Sequence, residues 1–142
     1  MKKTLTYILL VGVIIFGLIQ LLPIGKNHTN PPTVSEPNWN SPETRTAVKE
    51  HCFQCHSNET EWPWYSNIAP ASWLIYADVR EGRAHFNFSD WGAHPGELDE
   101  MINEINEGGM PPIQYWIFHP NSRLSDTQKQ SLISGLQATL QR

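Results

Sequence analysis

Both cysteines of this 142-residue chain lie in one six-residue stretch, HCFQCH, at positions 51–56. Cys52 and Cys55 are separated by two residues, and His56 follows directly. On a helix, positions i and i+3 share a face and position i+4 lies beside them. The two thiols and the imidazole would therefore point in one direction, which is the arrangement in which C-x-x-C-H attaches a c-type haem. Cys52 and Cys55 would then form thioether bonds to the ring, and His56 would be the proximal iron ligand.

Other chemistries at this stretch have less support from the sequence. A redox-active dithiol would use Cys52 and Cys55 but not His56. Zinc would need two ligands besides the cysteines to complete a tetrahedral site. A disulfide between them would close a very short loop and would stabilise the fold little. His51 is rotated away from His56 on a helix, so we expect it to face solvent or form a hydrogen bond rather than bind iron.

A second axial ligand to the iron would have to come from later in the chain. The candidates are Met101, Met110, His85, His94 and His119. Met110 stands in GGMPP, where glycines end a helix and prolines fix the following backbone, so its thioether could face the iron. Met101 lies on the apolar face of a predicted helix, where core packing explains it. We predict Met110 as the distal ligand, with His85 as the alternative; a methionine ligand would give the higher reduction potential.

The elements that must position these residues are predicted to be helices. The first begins at Ser41-Pro42-Glu43, with a serine N-cap and proline at the first helical position, and extends through the cysteines to near Asn58. The others are predicted at about Ala71–Ala84, at about Glu97–Glu107 with Gly108 as its stop, in a short turn within IQYWIFHP, and after the capping box Ser125-Asp126-Thr127-Gln128. No segment alternates as a strand would. The predicted fold class is all-α, a small cytochrome c-like helical domain around one covalently bound haem.

The N-terminal segment has the length and composition of a membrane helix. Residues 4–22 contain no charge and follow Lys2 and Lys3, and about 20 apolar residues cross a bilayer. Positive charge before the first apolar segment would keep the N-terminus in the cytoplasm. We predict a signal anchor at 1–25, a flexible polar proline-rich linker at 26–40 and a haem-binding domain at 41–142. A cleaved signal peptide is the alternative, and it would leave a secreted or periplasmic protein.

The charge of the chain bears on its partners. The sequence has 10 Lys and Arg against 14 Asp and Glu, and from Asn40 onward 7 against 13. Such a balance is unlike a nucleic-acid-binding surface, so no nucleic-acid partner is expected. The sequence does not identify a redox partner protein.

Several segments together carry a resemblance to a known family. The segment CFQCHSNETEWPWYSNIAPASWLIYADVREGRAHFNFSDW and the later GGMPPIQYWIFHPNSRLSDTQKQSLISGL resemble the bacterial haem-binding domain family of small exported proteins, related to mono-haem c-type cytochromes. The likeness covers about residues 38–140. It implies covalent haem on Cys52 and Cys55 and iron ligation by His56. Met110 matches the family's M-P position, and the segment that contains His85 also matches.

These observations predict a membrane-anchored mono-haem c-type cytochrome in the cytoplasmic (inner) membrane. It would cross the membrane once, hold its haem domain in the periplasm and transfer single electrons. An electron carrier is favoured over an enzyme, because six-coordinate iron leaves no open site for a substrate. The alternatives are a haem-based sensor or gas-binding module, and a haem peroxidase with His85 as its acid–base group.

Overall fold

A computed structural model describes residues 1–141 as helices joined by loops. The α-helices of this range are α1 (Lys2–Ile19), α2 (Pro42–His51), α3 (Phe53–His56), α4 (Ala71–His85), α5 (Leu98–Glu107), α6 (Ile113–Phe118) and α7 (Asp126–Leu140). Single 3-10 turns occur at Trp64–Asn67 and Pro120–Ser122. Within residues 1–141 there is no strand, and one isolated bridge joins Ser35 to Asp90. The predicted all-α fold is confirmed.

Several helix ends are set by local sequence, as predicted. The hydroxyl of Ser41 accepts a hydrogen bond from the Thr44 amide at 3.2 Å, and Pro42 occupies the first turn of α2. Ser125 and Gln128 form a reciprocal capping box at the start of α7. Gly108 ends α5 in the left-handed conformation, with φ of 77°, which glycine adopts without the steric cost that other residues meet.

The predicted single helix from residue 42 to near residue 58 is wrong, because the chain leaves helical geometry at Cys52. That residue has φ of −121° and ψ of −35°, and α3 begins directly after it. Val48 and Phe53 are both at most 2% exposed, yet five positions apart they would point about 140° away from each other on one continuous helix. The break at Cys52 lets both side chains enter the core.

The described chain forms two compact units. The first comprises residues 1–29 and 61–78, and the second comprises residues 30–60 together with residue 79 onward. In the first unit, α1 is apolar, with a mean hydropathy of 1.8, and none of its residues is buried. This helix could span a membrane or be a signal sequence.

The core of the second unit is formed mainly where α2, α5 and α7 pack together. Its buried members are Val48, Phe53, Phe88, Met101, Ile105, Leu124, Leu132, Ile133 and Leu136. The rings of Phe53 and Phe88 stack at 5.6 Å. Met101 is 6% exposed within this cluster, so its predicted role in core packing is confirmed.

Part of the segment predicted as a linker packs on the second unit. The amides of Val34 and Ser35 donate hydrogen bonds to the Ser89 carbonyl at 2.8 and 3.2 Å. The carboxylate of Glu36 forms two hydrogen bonds with the guanidinium of Arg45, at 2.7 and 2.6 Å. The compact unit therefore includes residues 30–40, whereas the predicted domain begins at residue 41.

Candidate functional site

The two cysteines and His56 lie within one helical turn. The carbonyl of Cys52 accepts hydrogen bonds from the amides of Cys55 and His56, at 3.2 and 2.9 Å. The two cysteines are not joined by a disulfide. Desolvation raises the pKa of the Cys52 thiol to about 12, and the nearby Cys55 adds to the rise. Cys52 is therefore a neutral thiol at physiological pH, unlike the acidic cysteine of a redox-active dithiol.

The side chain of His56 is buried and held in one orientation. Its exposed fraction is 8%, and its ring lies flat on that of Phe86 with a centroid distance of 3.9 Å and an interplanar angle of 10°. The Nδ1 atom is 3.4 Å from the Phe86 carbonyl oxygen. A carbonyl can only accept, so this contact favours the tautomer with the proton on Nδ1, which leaves the lone pair of Nε2 for a metal.

The environment also keeps this imidazole neutral. Burial lowers the pKa of His56 to about 4, and hydrogen bonds to the Phe86 and Gly82 carbonyls offset only part of that effect. The charge of His85 lowers the pKa further. A neutral imidazole is the form that ligates iron, because a protonated ring has no free lone pair.

The absence of a side chain at Gly82 lets α4 lie close to the turn that contains Cys55. A β-carbon added at Gly82 would lie 2.7 Å from the Cys55 carbonyl oxygen and 3.0 Å from the Cys55 β-carbon. Any side chain at this position would push α4 away from Cys55. The close approach of α4 therefore depends on glycine.

Residues 85–89, HFNFS, form hydrogen bonds with the chain that follows the cysteines. The amide of Phe88 donates to the His56 carbonyl at 2.8 Å. The Asn87 side chain donates to the Asn58 side-chain carbonyl at 2.8 Å, and the Asn58 amide donates to the Ser89 hydroxyl at 3.0 Å. Asn58, Asn87 and Ser89 are all buried. Sequence reasoning did not find this network, although the polar residues that alternate with phenylalanines in HFNFS were its visible sign.

The guanidinium of Arg83 also forms hydrogen bonds with the chain that follows the cysteines. Its Nε donates to the Ser57 carbonyl at 2.7 Å, and its Nη2 donates to the side chains of Asn30 and Thr60 at 2.7 and 3.0 Å. Arg83 therefore joins α4 to the segment that follows His56 and to Asn30.

The candidate distal ligands occupy different environments. Met110 follows the end of α5 and is 42% exposed. His85 is the last residue of α4 and is exposed. His94 contacts the Asp90 carboxylate through Nδ1 at 3.0 Å, and the Nδ1 of His119 is 3.1 Å from the Tyr115 carbonyl. Met110 as the distal ligand, with His85 as the alternative, stays a prediction.

His51 is buried, so the expectation that it faces solvent is wrong. It is 9% exposed, and its Nδ1 has no hydrogen-bond partner within the described part of the chain. Thr44, Val48 and His51 are the buried residues of α2, and the spacing i, i+4, i+7 places all three on one helical face. His51 therefore belongs to the inward stripe of α2.

These residues can be compared with known families. The sequence matches the family described as the haem-binding domain over residues 14–138. The chain belongs to the haem-binding domain family. This membership supports haem as the ligand of the fold. No curated protein and no solved structure matches the chain.

The residues present fit the group that the haem-binding domain family binds. Cys52 and Cys55 form no disulfide, and the buried His56 has a nitrogen lone pair for iron. Among residues 1–141, no three His, Cys, Asp or Glu side chains converge to hold a bare metal ion. An iron at this site would therefore depend on a porphyrin for most of its ligands, with the protein supplying axial ones.

Proposed function

We propose that this haem-binding domain protein is a c-type cytochrome that transfers single electrons. Cys52 and Cys55 hold one haem covalently through thioether bonds, and His56 is the proximal ligand. The observation that carries the proposal is the buried, neutral His56, oriented by the Phe86 carbonyl and one helical turn from Cys52 and Cys55, which form no disulfide. When bound, the haem supplies the Fe(III)/Fe(II) couple.

The surrounding residues tune the proximal side. The Phe86 carbonyl accepts from Nδ1 of His56, and such an acceptor makes the opposite nitrogen a stronger donor. The stacked Phe86 ring restricts rotation of the imidazole. Both effects keep the ligand geometry the same in two oxidation states, which favours rapid electron transfer.

Met110 is proposed as the distal ligand. In sequence it precedes α6, whose Ile113 and Ile117 side chains are 60% and 63% exposed. A porphyrin is a large apolar ring, and its burial against such side chains would be favourable by about 25 cal/mol per Å². The exposed apolar side chains of α6 support methionine over His85, which is the exposed last residue of α4.

The same proposal includes a location. The helix α1 anchors the protein in the cytoplasmic membrane, and Lys2 and Lys3 keep its N-terminus in the cytoplasm. The haem domain then lies in the periplasm, where it meets its redox partner. Release by cleavage after α1 is the alternative.

The proposal is tested by expressing the full chain together with a c-type cytochrome maturation system. A haem stain that survives denaturing electrophoresis is expected for the wild type and lost in the Cys52→Ser, Cys55→Ser double variant. If the wild type carries no covalent haem, the proposed cofactor attachment is wrong.

The distal ligand is tested by optical and magnetic spectra of the ferric protein. Met110→Ala should change the ligand-field signature, and His85→Ala, the matched control, should leave it unchanged. The reverse result would assign His85. Carbon monoxide binding by the ferrous wild type without denaturant would instead favour a haem sensor, because it requires an open or displaceable sixth position.

A further inference from the structure

The aromatic segment after the haem motif is fastened to the end of α1. The side-chain amide of Gln20 donates to the Ala69 carbonyl at 2.9 Å, and its oxygen accepts from the Ala69 amide at 2.9 Å. Gln20 is the residue at which α1 ends. Both polar groups of its side chain are thus satisfied by one residue of the segment.

Further contacts tie the same two parts of the first unit together. The hydroxyl of Ser72 donates to the Ile24 carbonyl at 3.4 Å. The ring of His28 stacks on Trp62 at 4.4 Å, and its Nε2 contacts the Ser66 carbonyl at 3.1 Å. Residues 62–72 are therefore bound at several points to the chain between Gln20 and His28.

The position of Gln20 fixes the depth of this segment if α1 spans a bilayer. The 18 residues of α1 are about 27 Å long at 1.5 Å per residue. The hydrocarbon core is about 30 Å thick. Gln20, and with it Ala69, would lie at the boundary between acyl chains and head groups.

Apolar side chains are exposed on both parts at this level. Trp64 is 76% exposed, Ile68 37% and Leu74 48%, and Leu21 and Ile24, which follow α1 in sequence, are also exposed. Tryptophan is enriched at the membrane–water interface because its ring is apolar and its N–H is polar. The exposed apolar surface of α1 continues into this segment, and a bilayer that covers α1 would also cover the segment.

We propose that residues 61–74 form a membrane-surface element whose Trp64, Ile68 and Leu74 side chains enter the lipid head-group region. The proposal rests on the membrane anchoring by α1 given above. The occupant of this surface is lipid. In sequence, the element begins five residues after His56, so the haem-bearing segment would be tethered to the membrane at a second point besides α1.

The test uses the haem-loaded full chain in phosphatidylcholine vesicles whose acyl chains carry bromine, either near the head group or near the chain end. Bromine quenches tryptophan fluorescence on contact. No tryptophan lies before residue 39, so α1 itself contributes no signal. The control variant is Trp116→Phe, since Trp116 lies in the second unit and its indole donates to the Pro111 carbonyl.

We expect a quenched component of the wild-type emission that is larger for bromine near the head group. Trp64→Phe should lose this component, and Trp116→Phe should retain it. If the chain stays with sedimented vesicles but Trp64→Phe has the wild-type quenching, the membrane-surface element is refuted while the anchor stands. A chain that does not sediment with the vesicles would refute both. Dimers in which Trp64 is protected from bromine would assign the surface to a second copy and overturn the proposal.

Discussion

Replacement of Gly82 by alanine tests how closely α4 approaches the turn that contains Cys55. Gly82 lies inside α4, where alanine alone would be favourable by about 1 kcal/mol through helix propensity. The new methyl group would, however, lie 2.7 Å from the Cys55 carbonyl oxygen and 3.0 Å from its carbonyl carbon. These two atoms belong to the backbone, so they cannot rotate away as a flexible side chain could.

The expected change in the free energy of unfolding is the difference between these two effects. Forcing a methyl group into a packed site costs about 1–3 kcal/mol. After the propensity gain is subtracted, Gly82→Ala should lower the free energy of unfolding by about 1 kcal/mol. For a domain of this size, such a loss lowers Tm by about 4–8 °C.

Thermal and urea unfolding of the haem-loaded protein, followed by circular dichroism, provide the measurement. Gly92→Ala is the matched control, because a β-carbon there would make only an ordinary contact of 3.4 Å with the Ser35 side chain. Its stability should stay within about 0.5 kcal/mol of wild type. If Gly82→Ala is as stable as wild type or more stable, the close packing of α4 on Cys55 is incorrect.

Two further predictions concern parts of the second unit away from the cysteines. The Arg45 side chain, hydrogen-bonded to Glu36, lowers the pKa of that carboxyl below 4.5, so its stabilisation is present above pH 4.5 and is lost as the pH falls through the lowered value. Glu36→Gln should therefore lower the free energy of unfolding by about 1 kcal/mol at neutral pH, as measured by urea unfolding. A difference in stability from wild type that is the same at pH 3 would contradict this prediction. Ser125→Ala removes the capping box with Gln128 and should lower the free energy of unfolding by about 1 kcal/mol. The control is Ser131→Ala, at an exposed position inside α7, and it should not lower the stability. Equal unfolding midpoints for the two variants would refute the role of the cap.

Helix termini could be predicted from sequence because their determinants are local. The N-cap at Ser41 involves an amide three residues away, and the stop at Gly108 needs only its own backbone conformation. The proximity of Cys52, Cys55 and His56 was also predictable, since one turn of helix brings them together even though Cys52 itself is not helical.

The features that sequence reasoning missed depend on residues far apart in the chain. The break at Cys52 arises because Val48 and Phe53 must both reach the core, and this tertiary demand overrides helical propensity. The Phe86 carbonyl that orients His56 is 30 residues away in sequence. Because every residue has a backbone carbonyl, the residue type at position 86 does not indicate this contact. The identity of the distal ligand depends in the same way on how a later segment packs.

The contact that orients His56 bears on the order in which haem binding and folding would occur. The proposed thioether bonds involve only residues 52 and 55, so their formation would not require the folded domain. The imidazole is oriented only when Phe86, 30 residues later, has closed a loop, and such closure carries an entropic cost that local contacts avoid. Under the proposed function, covalent capture of haem and completion of its ligand field would thus be separable in time, the first chemical and the second a folding event.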